Sequence, residues 1–364
     1  MPDILIPLHA IKGRGIAHRQ PHRFERDLRA AFDDGWGTLD DAAVAGEEAA
    51  APATQVTFED ARSAITRNDS PDIGFTLGLN PYRGCEHGCV YCYARPTHSY
   101  LNLSPGLDFE TRIIAKRNIA AVLRDELLRQ AYAPDLLAIG TVTDAYQPVE
   151  RELRLTREVL EVLHTARHPL AMVTKGSGVE RDIDLLAPMG QQRLAAVYVT
   201  ITTLDAQLAR ILEPRAAAPH RRLRTLRTLA EAGVPTGVSV SPQIPFINDD
   251  MERVLEAAYE AGARRAFYQV LRLPWELSEM FRQWLAQHYP DRAARVMARM
   301  QDLRGGKDYD ADFATRMKGQ GLWADLLRQR FVKTCDRLGF NRDREPLDTS
   351  LFRPAALRGQ GDLF

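Results

Sequence analysis

From residue 55 onward the chain alternates two kinds of apolar pattern. Short runs rich in β-branched and aromatic residues, FTLGLN (75–80), LLAIGTV (136–142), LAMVT (170–174), AAVYVTIT (195–202), PTGVSVS (235–241) and RAFYQVL (265–271), predict six strands. Between them, apolar residues spaced three and four apart predict helices near 113–131, 152–167, 180–190, 205–213, 217–233 and 249–262. Strands joined by helical crossovers call for a parallel α/β sheet, because a right-handed crossover returns each strand in the same direction. Either an open doubly wound sheet or a partial barrel satisfies this pattern.

Beyond residue 272 the period is helical, in WELSEMFRQWLAQHYPDRAARVMARMQDL and LWADLLRQRFVKTCDRLGF, with the Gly-rich RGGKDYDADFATRMKGQG between them. The core is therefore expected at 55–272, a C-terminal helical region at 273–342 and an irregular tail at 343–364. Upstream, residues 10–29 are basic and residues 33–54 acidic and Ala-rich without an apolar period, so 1–54 reads as a flexible N-terminal extension. No repeat of solenoid type occurs.

Composition narrows the class. With 45% apolar and 26% charged residues in 364, the chain suits one main globular domain with flanking segments. No charged leader precedes an apolar run, and no stretch of eighteen apolar residues occurs, so the expected location is the cytoplasm. Formal net charge is zero and predicts no partner. Only six of the forty-eight basic residues are Lys, which points to a skewed genome composition and makes each Lys easier to single out.

Three of the four cysteines, Cys85, Cys89 and Cys92, fall in NPYRGCEHGCVYCYARPTHSY (80–100), and Cys335 stands alone in a C-terminal helical stretch. That is a poor disulfide framework, and in a reducing compartment such a cluster more often binds metal. Structural zinc wants four ligands, and His87 or His98 could complete a Cys3His set. A four-iron cubane on three thiolates instead leaves one iron open for a substrate or cofactor.

C-x3-C-x2-C with an aromatic, Tyr91, before the third cysteine resembles the signature of the radical S-adenosylmethionine superfamily. Further stretches, ITRNDSPDIGFTLGLNPYRGCEHGCVYCYARPTHSYLNLSPGLDFETRIIAK, GTVTDAYQPVER, VTKGSG, EPRAAAPHRRL and SPQIPFIND, resemble uncharacterised members of that superfamily grouped near spore photoproduct lyase, as do RGGKDYDADFATRMKG and the tail. The resemblance implies an α/β fold, a partial (β/α)6 TIM-like barrel of parallel strands, with a [4Fe–4S] cluster on Cys85, Cys89 and Cys92. S-adenosylmethionine would chelate the open iron and, on one-electron reduction by an unidentified donor, release methionine and a 5′-deoxyadenosyl radical.

It also assigns a cofactor pocket at the carboxyl ends of the strands. Thr143 and Asp144 would hold the methionine amino group, and capping the next helix or turn is a second role for Asp144 compatible with the first. Lys175 would meet the methionine carboxylate. Thr200 and Thr202, at period two, would face the ribose, and Ser241, Pro242 and the Tyr91 backbone the adenine. His87 would tune the cluster, line the pocket or stay solvated. Tyr93, Tyr146 and Gln147 are candidates for facing substrate.

The chain ends Gln360-Gly361-Asp362-Leu363-Phe364, which resembles the pentapeptide that docks bacterial DNA enzymes on the replication sliding clamp, with Gly where Leu is usual. Arg215, Arg221, Arg222, Arg224 and Arg227, with His220, form either a phosphate-contacting patch or a solvated helix surface. Kinship with a DNA lyase makes nucleic acid or a damaged base the expected substrate. One departure stands against equating the two. That lyase returns a hydrogen atom through a cysteine near the radical site, and here no cysteine lies between Cys92 and Cys335. A non-catalytic, DNA-associated metal-binding factor recruited to the clamp is the alternative.

Overall fold

A computed structural model describes residues 11, 13–16, 19–25, 52–342 and 345–358. Ten strands order it: β1 Gln55–Glu59, β2 Thr66–Arg67, β3 Leu77–Leu79, β4 Tyr82–Arg83, β5 Arg112–Lys116, β6 Leu137–Ile139, β7 Leu170–Thr174, β8 Ala195–Thr200, β9 Thr236–Gln243 and β10 Arg265–Val270. The main sheet has the order β10-β9-β8-β7-β6-β3-β2, parallel from β3 to β10, with β2 antiparallel on β3. All six strands expected from the apolar runs are its parallel members. They read as continuous runs because helices on one side and the strand interior on the other bury both faces, as at Leu77, Leu79, Leu137, Ile139, Val197 and Val199.

The helical expectations hold near Leu155–Thr165, Ile183–Gln191, Ala206–Leu212, Pro219–Glu231 and Met251–Glu260. One does not. The predicted helix 113–131 begins as strand β5 and becomes helical only over Ile119–Leu127. In RIIAK the buried residues alternate, Ile113 and Ala115 pointing inward, and the segment pairs parallel with β1 and antiparallel with β4 in a second, three-stranded sheet. The helix that follows extends the same apolar spacing, which masked the change of period.

C-terminal helices Leu277–His288, Pro290–Asp302 and Gly321–Leu338 pack onto the core, the last against Met251–Glu260. The Gly-rich loop between them crosses the end of β10: the Val270 amide donates to Met317 O at 2.9 Å, and Arg304 donates to Leu271 O at 2.7 Å. Within the stretch read as an extension, residues 14–16 are anchored. Arg14 donates to Glu110 O at 2.9 Å, and Ile16 is buried. The tail, over 345–358, is irregular apart from one 3-10 turn, Pro354–Arg358, and Arg353 N bonds Ala166 O at 2.7 Å. No helix among the described residues is long and apolar enough to cross a membrane.

Candidate active site

The loops leaving the carboxyl ends of the parallel strands meet around one cavity of about 270 Å³. Parallel α/β sheets gather their ligands there because successive crossovers leave the strand ends free of helices. Cys85, Cys89 and Cys92 border it, together with His87, Tyr91, Tyr93, Thr143, Asp144, Lys175, Thr200, Ser241 and Pro242. Of these fifteen residues named from the sequence, twelve border it and Thr202, Tyr146 and Gln147 do not.

The cysteine loop is held from below. Arg95, wholly buried, donates to Cys89 O at 2.8 Å, Gly88 O at 3.0 Å, Gly106 O at 2.9 Å and Pro105 O at 3.2 Å, and pairs with the buried carboxylate of Glu110. Glu110 also accepts from Gly15 N at 2.9 Å and Ile16 N at 3.1 Å, drawing the N-terminal segment onto the loop. Two glycines permit that approach. A Cβ on Gly15 would sit 1.8 Å from Gly88 O, and Gly88 itself has φ +66° with Glu110 against its back.

Burial keeps the Cys85 and Cys89 thiols from ionising unaided. Cys85 is pushed well above the ordinary thiol range, by burial first and the Asp144 charge second, and Cys89 is pushed up to about 12 by burial despite Lys175. Metal ligation would have to displace these protons. Among the described residues no three His, Cys, Asp or Glu side chains are placed to hold a single metal ion. His98 is turned away, its Nε2 at 3.1 Å from Arg112 O and its ring against Phe109, so it does not complete a zinc site with the cysteines.

Asp144 is the most heavily bonded group at the cavity. Its oxygens accept from Tyr146 N at 2.8 Å, Thr174 Oγ1 at 2.6 Å and Lys175 N at 2.7 Å, and His87 Nδ1 lies 3.2 Å away. Burial opposes its charge, but His87, Thr174 and the Lys175 amide outweigh it and hold the carboxyl far below the usual range. Asp144 therefore does organise a turn, and His87 sits in the cavity wall, not in solvent. Thr143 is likewise engaged, its hydroxyl donating to Gly84 O at 2.6 Å.

Lys175 follows β7, its ammonium 5.7 Å from the centre of the Tyr91 ring. Burial works against this cation, yet Cys89 and Glu213 hold its pKa above the ordinary value. Glu213, which the sequence reading passed over, is buried between Arg222, the Tyr91 hydroxyl and Thr202 Oγ1 at 2.7 Å. Arg222 is therefore no surface residue, and it also donates to Thr200 O at 2.9 Å. Arg215 and Arg221 pair with Glu86 and Glu180, leaving His220, Arg224 and Arg227 exposed.

Three expectations about facing are corrected. Strand β8 ends at Thr200, so the alternation does not reach Thr202, which lies under Tyr91 and bonds Ser241 O at 3.1 Å. Tyr146 points into the protein and donates to Asp182 at 2.9 Å. Gln147 bonds Thr143 Oγ1 at 3.1 Å and takes the Glu86 amide at 2.9 Å, bracing the cysteine loop. Buried backbone near a cavity needs partners, and these side chains supply them. Ser241 is the opposite case, for its hydroxyl at the cavity wall is buried without any partner. Cys335 is buried in the Gly321–Leu338 helix away from the cavity. Residues 360–364 lie outside the described residues.

Residues 79–258, which take in the cysteine loop and the four parallel strands β6 to β9 with their crossovers, match the profile of the Radical SAM superfamily. The chain belongs to that superfamily. An uncharacterized protein of Mycobacterium tuberculosis is 35% identical over 246 residues, covering 66% of this chain and 72% of that one. One of Methanocaldococcus jannaschii is 29% identical over 213 residues, 58% of this chain and 76% of that one. Among solved structures, spore photoproduct lyase with AdoMet and a dinucleoside spore photoproduct bound is similar in fold, with a TM-score of 0.51 at 15% identity over 78% of this chain and 80% of that one. Radical SAM enzymes work by radical chemistry and in general bind a [4Fe–4S] cluster and S-adenosylmethionine. The α/β fold with its parallel sheet is the one expected of this radical SAM protein.

Proposed function

We propose that this radical SAM protein holds a [4Fe–4S] cluster on Cys85, Cys89 and Cys92 and binds S-adenosylmethionine in the adjoining cavity, within a partial (β/α)6 barrel. The convergence of all three thiols on one cavity that also presents Lys175 and the unpartnered Ser241 hydroxyl carries the reading. Three thiolates on a cubane attach to different irons, so they need not converge as ligands of one zinc ion must. When bound, the cluster supplies the electron for reductive cleavage of S-adenosylmethionine.

The chain's own residues do the rest. Lys175, kept cationic, takes the methionine carboxylate. Thr143 and Asp144 present the polar wall for the amino group, with His87 beside Asp144. Thr200 faces the ribose, and Ser241, Pro242 and the Tyr91 backbone face the adenine. Val173, Val270 and Leu271 line the cavity and exclude water from the reactive end. Nucleic acid and its lesions are the first substrates to screen, because spore photoproduct lyases of the same fold were solved with dinucleoside spore photoproduct bound. Clamp recruitment through Gln360, Leu363 and Phe364 stays a proposal of the sequence.

Anaerobic reconstitution tests this directly. The wild type, given S-adenosylmethionine and a strong reductant, is expected to form 5′-deoxyadenosine, and Cys89→Ala is expected to hold little iron and form none. A wild type with a complete cluster and no product, with or without nucleic acid, would sink the proposal; a colourless zinc protein would favour the structural-metal alternative.

A further inference from the structure

The cavity is bordered by two cations, and only one of them has a role in binding S-adenosylmethionine. Lys175 stands over the Tyr91 ring, and the Arg272 guanidinium stands 5.3 Å from the centre of the Tyr93 ring, so the two cation–arene pairs use the residues on either side of Cys92. S-adenosylmethionine brings a single carboxylate, which Lys175 satisfies. Arg272 is surplus to that need.

Its surroundings leave it unsatisfied. Arg272 follows β10 directly and is half-buried. Its Nε is buried with no hydrogen-bond partner, and Nη1 reaches only the Met317 sulfur, a weak acceptor, at 3.3 Å. Among the described residues no carboxylate forms an ion pair with it. Asp72 feels its charge, but both Asp72 oxygens are taken by Arg316 at 2.6 Å. Asp144, the one carboxylate among the described residues that borders the cavity, accepts from Tyr146 N, Thr174 Oγ1 and the Lys175 amide, with His87 Nδ1 3.2 Å away. Arg304 adds a second guanidinium that no carboxylate among the described residues pairs, bonded to Leu271 O and Thr315 O.

The aromatic face beneath it is fixed as well. The Tyr93 hydroxyl donates to Thr141 O, which pins the ring against the guanidinium and orients the planar fork. An arginine so placed, with its donors unmet at a cavity wall, is built for two oxygens of one anion.

We propose that Arg272, seated on Tyr93, forms a substrate subsite that takes an oxyanion, the phosphate or carboxylate group of the molecule on which the radical acts. That the anion belongs to the substrate rests on the function proposed above; the oxyanion site itself does not.

Isothermal titration of the cluster-reconstituted, oxidised protein tests it without turnover, using inorganic phosphate, thymidine 5′-monophosphate, acetate and, separately, S-adenosylmethionine. Arg272→Gln is expected to weaken the preferred anion about tenfold or more, with partial recovery in Arg272→Lys, which keeps the charge and loses the fork. Affinity for S-adenosylmethionine is expected to follow Lys175→Gln instead. Arg272-dependent binding of the phosphate probes assigns a phosphorylated substrate, and of acetate a carboxylate. Loss of S-adenosylmethionine affinity in Arg272→Gln with the anions unaffected would place Arg272 in the cofactor site and overturn the proposal, as would anion binding indifferent to Arg272. Missing 5′-deoxyadenosine would instead count against the cofactor reading and leave this titration intact.

Discussion

The two sides of the cavity are built on opposite principles. On the cysteine side most polar groups have a partner, Nδ1 of His87 and of His98 being exceptions: Arg95 spends its donors on four carbonyls and Glu110, Gln147 braces the loop, and Asp144 accepts from three donors with His87 beside it. On the side formed by the ends of β9 and β10, the Ser241 hydroxyl and Arg272 Nε are buried with none. A loop that must present three thiols in fixed positions gains from being rigid before any ligand arrives. A wall that recognises a ligand instead keeps donors free, and the ligand completes their hydrogen bonds.

Substitutions can break this contrast, and the largest effect is expected at Arg95. Arg95→Met strips the buried Glu110 carboxylate of its counter-charge and four carbonyls of a donor, and a loss of about 3–5 kcal/mol in unfolding free energy is expected, measured by urea denaturation, together with lower iron content after reconstitution. A loss under about 1 kcal/mol would show that the loop does not depend on this network.

Next is a pH effect beneath the same loop. Burial pushes His98 down to about 4, so between its unfolded value near 6.5 and 4 the unfolded chain binds a proton that the folded one refuses. Stability is complete above that window and falls as pH drops through it. His98→Gln is expected to flatten the slope of unfolding free energy by up to about 1.4 kcal/mol per pH unit. His168, also held down to about 4 by burial far from the loop, keeps its own contribution. An unchanged slope would mean that His98 is not buried neutral.

Gly15→Ala drives a methyl into Gly88 O, and about 1–3 kcal/mol of destabilisation is expected. Limited proteolysis should then cut first in the N-terminal segment. Indifference would detach that segment from the cysteine loop.

The smallest stability effect belongs to the open wall. Ser241→Ala removes a buried hydroxyl that bonds nothing, so stability should change by no more than about 0.5 kcal/mol. Affinity for S-adenosylmethionine is expected to fall about three- to tenfold, and an unchanged affinity would remove Ser241 from the pocket.

Much of the scaffold was legible because its signals are local. LAMVT is a strand over the residues its apolar run marks, and the crossovers follow their three-and-four spacing. Where local signals overlap, reading failed: RIIAK carries both a strand's alternation and the beginning of a helical period, and only pairing with β1 decides for the strand. The arginines of Pro219–Glu231 show the same limit, since spacing spreads them around the helix and gives no hint that Arg222 meets Glu213.

The sequence by itself determined the chemistry that depends on residue type and short spacing: three thiols within eight residues, a lone lysine after an apolar strand, and six β/α units to carry them. Which side chains face the cavity was decided only by the tertiary structure. Glu110 bonds Gly15 across 95 residues, Thr202 turns away where its strand stops, Tyr146 and Gln147 are drawn inward by Asp182 and the cysteine loop, and Arg272 is left without a carboxylate. The physical reason is that period and propensity act along the chain, whereas a buried polar group is satisfied by whatever the fold brings beside it.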